Sequence, residues 1–172
     1  MKSKRFISVT SVSLWFSLLL ALGACVTAKP LAPTDFSATT TVSAEGLSLQ
    51  LPKGYVRFTE GDAVFFRPDP PQRPSPGVMV WRQNNKKVMT VLDMAWMRVR
   101  EKMSGEPEPI QNTMAGRKVL GFYSELSTHF IWIYALENKN TVWAIQIAAP
   151  VSWPDDKVLK FHDLVVGHVT IN

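Results

Sequence analysis

The stretch "THFIWIYALENKNTVWAIQIAAP" constrains the fold of this chain more than any other. In an extended backbone, successive side chains point to opposite faces. Phe130, Trp132, Tyr134 and Leu136 then share one face, and Ile131, Ile133 and Ala135 share the other. Both faces are apolar, which predicts a central strand covered on both sides. A second strand follows the turn at 137–140, with Trp143, Ile145 and Ile147 against Val142, Ala144 and the polar Gln146, until Pro150 stops it. Such a hairpin needs a sheet around it and a layer on each side.

The rest of the chain supplies these parts. Leu47, Leu49 and Leu51 alternate with Ser48 and Gln50, the period of a half-buried strand. Pro52-Lys53-Gly54 turns the chain, and Tyr55, Val56 and Phe58 start the next strand. "DAVFFRP" and "GVMVWRQ" are two more strands. The stretch between them, "RPDPPQRPSPG", holds five of the chain's 12 prolines. It reads as a stiff connector, the sharper alternative being a proline-rich ligand for a partner's groove. Residues 90–104 change period: Leu92, Ala95, Trp96, Val99 and Met103 mark one face of a helix flanked by Met94 and Met97, with Thr90 as cap and Asp93 in capping-box position. "IQNTMAGRKVLGFYSEL" is extended again, turning at Gly116. A closing helix is capped by Ser152 or Asp155, has Pro154 in its first turn, and buries Val158, Phe161, Leu164, Val165 and Val169. Gly167 weakens its end, where the chain frays or becomes a short extended piece. The order predicts an α+β domain, a mostly antiparallel β-sheet with two main α-helices packed on it.

The N-terminus points to export. Lys2, Lys4 and Arg5 precede an apolar run ending in small residues, with a core from Leu14 to Leu22. That is the pattern of a secretory signal, shorter than the roughly 20 apolar residues a membrane-spanning helix needs. Leu22-Gly23-Ala24-Cys25 resembles the lipobox of bacterial lipoproteins, in which the cysteine thiol receives a diacylglyceryl group and becomes the new N-terminus. The resemblance implies that residues 1–24 are a lipoprotein signal peptide and that Cys25, the only cysteine, is the lipidation site. Residues 25–44, Ala-, Thr-, Ser- and Pro-rich, are then a lipidated N-terminus and tether, part of which could pair as an edge strand, and residues 45–172 a single domain. Of 19 basic side chains three lie in the signal, which leaves 16 against 14 acidic ones. A nearly neutral mature chain without a basic stripe argues against a nucleic-acid partner. In enteric-type bacteria an Asp after the lipidated cysteine retains a lipoprotein at the inner membrane. Here Val26 follows, so a periplasm-facing position at the outer membrane is expected.

"LSLQLPKGY", the long helix, "MAGRKVLGFYSEL", the hairpin ending "IQIAAP" and the closing amphipathic helix together resemble the DcrB-like, PsbP/Mog-type fold over residues 44–171. That resemblance implies a PsbP/Mog-like sandwich. Members include a bacterial envelope lipoprotein linked to phage uptake, extrinsic subunits of photosystem II, and chaperone-like adaptors of effector secretion. The family shares no functional residue set that carries over to this chain.

Catalytic patterns are missing from the sequence. His129, His162 and His168 are the only histidines, and the last two, six residues apart, fall on different helix faces. Ser124, Ser127 and His129 give no triad spacing, and neither a Gly-x-Ser-x-Gly elbow nor a phosphate-cradling loop occurs. No enzyme activity, cofactor or metal is therefore expected. The five mature tryptophans are assigned to the core, with Trp132 and Trp143 on its central strands. The expected function is a membrane-anchored envelope module that binds another envelope protein. The alternatives are a carrier of an apolar small molecule, which needs an enclosed cavity, or an immunity-type lipoprotein that neutralises a toxin.

Overall fold

In the computed structural model, which describes residues 36–71, 73–100 and 106–172, the two apolar runs form an antiparallel hairpin. In chain order the elements are β1 (Thr39–Ala44), β2 (Leu47–Pro52), β3 (Tyr55–Glu60), β4 (Ala63–Pro68), β5 (Gly77–Asn84), α1 (Val88–Val99), β6 (Glu108–Met114) and β7 (Arg117–Glu125). The hairpin strands β8 (His129–Asn138) and β9 (Thr141–Pro150) follow, then α2 (Asp155–Gly167) and β10 (Thr170–Ile171). Seven strands form one antiparallel sheet in the order β3-β4-β5-β9-β8-β7-β6, with β9 in the middle and β8 beside it. A smaller antiparallel sheet has the order β1-β2-β10.

Each face of the large sheet has its own core. On one, Val91, Leu92, Ala95 and Val99 of α1 pack with Trp81, Ile133, Ala135 and Ala144. Alanines on both partners let the helix approach closely. On the other, Leu47, Leu49 and Leu51 of β2 and Phe161 and Val165 of α2 pack with Val80, Leu136, Ile145 and Ile147. The odd residues of β8 serve the first core and the even ones the second, as its two apolar faces require. The architecture is the expected α+β one. Among the described residues, no helix is long and apolar enough to cross a membrane.

Several boundaries differ from expectation. The segment assigned to the tether is folded from Phe36, and its Thr39–Ala44 part forms the edge strand left open for it, paired with β2 with Val42 opposite Leu49. The open edge of β2 recruits it. Residues 26–35, the expected signal peptide and the expected lipidation site Cys25 lie outside the described residues. Helix α1 starts two residues before Thr90, so Thr90 is inside the first turn and cannot cap it. Its start is set instead by the chain leaving β5. Asn85, in the left-handed region at φ 57°, donates its backbone N–H to the Asn140 carbonyl at 2.7 Å, and the helix begins three residues on. Its expected last turn, with Met103, falls beyond Arg100 and outside the described residues. Pro154 rather than a side chain caps α2, its carbonyl accepting from the Lys157 and Val158 amides. Asp155 and Asp156 stand in the first turn, where the helix dipole favours acids. Past Gly167 the chain turns into β10.

Candidate functional site

The α2 side of the large sheet is not closed over its whole width. Cross-strand partners share a face, so Tyr123 of β7 lies beside Trp132 of β8, Gly121 beside Tyr134, and Ile110 of β6 beside Gly121. Two of these side chains, Tyr123 and Trp132, make an aromatic platform with Phe130. The Tyr123 and Trp132 rings lie 5.4 Å apart, Phe130 and Trp132 6.2 Å, and Tyr123 and Phe130 6.4 Å. Helix α2 borders it with Asp155, Val158 and Leu159, and Leu159 is 56% exposed. The result is an open cleft of about 390 Å³, lined by Ile110, Tyr123, Phe130, Trp132, Asp155, Val158 and Leu159.

A polar relay runs beneath its inner end. His162 is buried, its ring 5.0 Å from that of Trp132. A carboxylate can only accept, so Nδ1 donates to Asp163 Oδ1 at 3.0 Å and Nε2 accepts from the Tyr134 hydroxyl at 2.8 Å. Asn112 Nδ2 reaches the same hydroxyl at 3.5 Å. Burial raises the Tyr134 phenol above its ordinary pKa, against the Asn112 hydrogen bond, and the Asp163 charge raises it further. Gly121 makes room for this arrangement: a Cβ there would overlap the Ile133 carbonyl oxygen and come within 2.8 Å of Tyr134 Cδ1. The Tyr123 phenol at the open end is also raised, by burial first and then by the carboxylates of Glu125 and Glu108.

Trp132 was assigned to the core and stands instead half-buried in this cleft, whereas Trp143 is buried and donates its Nε1–H to the Glu45 carbonyl at 2.7 Å. The serines and histidine do not assemble. Ser124 is buried on the face toward α1. A carbonyl only accepts, so His129 donates from Nε2 to the Ser75 carbonyl at 3.0 Å, pinning the proline-rich loop between β4 and β5, and its Nδ1 accepts from the Thr128 hydroxyl at 2.8 Å. Among the described residues, no three His, Cys, Asp or Glu side chains group as a metal site. What the cleft offers chemically is contact: flat rings, an aliphatic wall and carboxylates at the rim. The sequence carried one signal for it, the alternation Phe130, Trp132, Tyr134 beside Tyr123, but alternation does not say which part of a face is covered.

No protein family and no curated protein matches the sequence. Among solved structures, the chain is similar to cyanobacterial PsbP (CyanoP) from Synechocystis sp. PCC 6803, with a TM-score of 0.56 at 10% identity over 88% of this chain and 99% of that one. The fold is PsbP-like. It is also similar to LpqN, involved in cell envelope biogenesis of Mycobacterium tuberculosis, with a TM-score of 0.46 at 15% identity over 78% of this chain and 90% of that one. At these identities the likeness to CyanoP speaks for the fold alone, and the weaker one adds no argument.

Proposed function

We propose that this PsbP-like protein is a lipid-anchored module of the bacterial envelope that docks another envelope protein in the cleft and performs no catalysis. The observation that carries the reading is the open aromatic cleft between α2 and strands β6–β8. Soluble domains bury such rings unless a partner covers them. The Leu22-Gly23-Ala24-Cys25 motif supports the anchor, the DcrB-like sequence resemblance supports an accessory role, and Val26 after the cysteine supports the outer membrane. A carrier of apolar small molecules is less well supported, because the cleft opens to solvent along its length whereas a carrier encloses its cargo.

The test places a photo-activatable phenylalanine at Leu159 of the full chain in living cells. A discrete adduct at Leu159 that weakens in Trp132→Ala, and no adduct from the same probe at Arg57 on β3, is the expected result. Equal labelling from both positions contradicts docking in the cleft. The anchor is tested separately by metabolic labelling with a palmitate analogue, which Cys25→Ser should lose.

A further inference from the structure

The cleft is chemically one-sided. Among the described residues, its walls are aromatic and aliphatic, and the charged side chain lining it is an acid, Asp155. Glu108 stands across the β6–β7 ladder from Tyr123, and Glu125 across the β7–β8 ladder from Phe130. Both carboxylates are near enough to the Tyr123 hydroxyl to oppose its ionisation. The two lysines of α2 are engaged elsewhere, Lys160 with Asp156 at 3.2 Å and Lys157 over the Trp153 ring at 4.1 Å. The rim thus carries negative charge beside three ring faces, whose own quadrupoles attract cations.

We propose that the occupant is a segment of another envelope protein presenting a lysine or arginine next to an aliphatic or proline side chain. The inference rests on the cleft being a docking surface and adds the chemistry of what docks. The apolar side chain lies on Phe130 and Trp132, against Val158 and Leu159. The cation lies over Tyr123 and Trp132, between Glu108 and Asp155. An acidic segment, or the phosphate of a lipid headgroup, would set like charges together there, so the rim selects for sign as well as for shape.

The experiment takes the adduct formed at Leu159 in the full, lipidated chain and sequences the captured peptide. A lysine or arginine beside the linked residue is expected. In the double variant Glu108→Lys with Asp155→Lys the adduct should fall by about tenfold or more, because juxtaposed like charges oppose docking. The neutral pair Glu108→Gln with Asp155→Asn should lower it less, and thermal melting of each variant confirms that it is folded. If the charge-reversed chain does not fold, the neutral pair decides. A captured peptide without a basic residue, one from a second copy of this chain, a lipid adduct, or a yield untouched by either pair overturns the inference while a cleft-dependent protein adduct keeps the docking reading. No cleft-dependent adduct at all overturns both.

Discussion

Two aromatic clusters share one face of the large sheet and meet opposite ends. In the first, Phe36, Tyr55 and Trp153 surround Phe161 with ring centroids 5.9–6.0 Å away, and Phe161 is 0% exposed. In the second, Tyr123, Phe130 and Trp132 are spaced about as closely and border an open cleft. Spacing and chemistry barely differ between them. Cover does: α2 supplies Phe161 from above and β2 joins the same core, whereas among the described residues the second cluster has only one flank of α2 beside it. An aromatic cluster is core or surface according to what the topology lays over it.

The largest difference between the clusters should appear on truncation. Phe161→Ala removes a fully buried ring and should cost about 3–5 kcal/mol. Trp132→Ala, at a half-buried site, should cost less than about 2 kcal/mol despite the larger side chain. Chemical denaturation of both variants checks the pair, and equal losses would erase the comparison. Next comes the position that seats the cleft floor. Gly121→Ala forces a methyl against the Ile133 carbonyl and should cost about 1–3 kcal/mol by overpacking. A denaturation midpoint at the parent's value would mean that β7 and β8 do not approach as described.

Smaller effects sharpen the contrast at two phenols. Tyr134→Phe leaves His162 Nε2 buried without its donor, which should cost about 1–2 kcal/mol in the same assay. Tyr55→Phe should be neutral or slightly stabilising, because the buried Tyr55 hydroxyl has no hydrogen-bond partner among the described residues. It should also change the alkaline limb of stability. Burial holds the Tyr55 phenol far above the ordinary value near 10, so the folded state keeps its proton while the unfolded chain loses it. That contribution is complete below pH 10 and drains away as the pH climbs toward the raised folded-state value. Unfolding followed above pH 10 should therefore fall less steeply in Tyr55→Phe than in the parent. Identical slopes would place that hydroxyl in water.

The fold was largely legible from periodicity. The two apolar faces of 130–136 required a strand near the middle of a covered sheet, and β8 is one place from the centre. The alternation at 47–51 and the helical stripe at 158–169 located β2 and α2. Helix starts were less legible, because Asn85 and the Pro154 carbonyl set them through backbone hydrogen bonds, whereas the sequence advertised side-chain caps. The edge strand at 39–44 was left open rather than located, since Thr- and Ser-rich composition suits a tether as well as an edge strand with one wet face, which needs little apolar content. The cleft was least legible. Phe130 and Trp132 carry the same alternation as Tyr134 and Leu136, and only the path of α2 separates the open end of that face from the closed one. His162 was visible in the sequence as a helix histidine, but its burial against Tyr134 was not, because that partner lies 28 residues away.

Hydroxyl-radical footprinting of the full chain, read residue by residue by mass spectrometry, tests the distinction between the clusters most directly. Trp132, Tyr123 and Phe130 should be oxidised rapidly, while Phe161, Tyr55 and the fully buried Trp81 stay protected until the protein unfolds. Protection of Trp132 equal to that of Trp81 would contradict an open aromatic cleft.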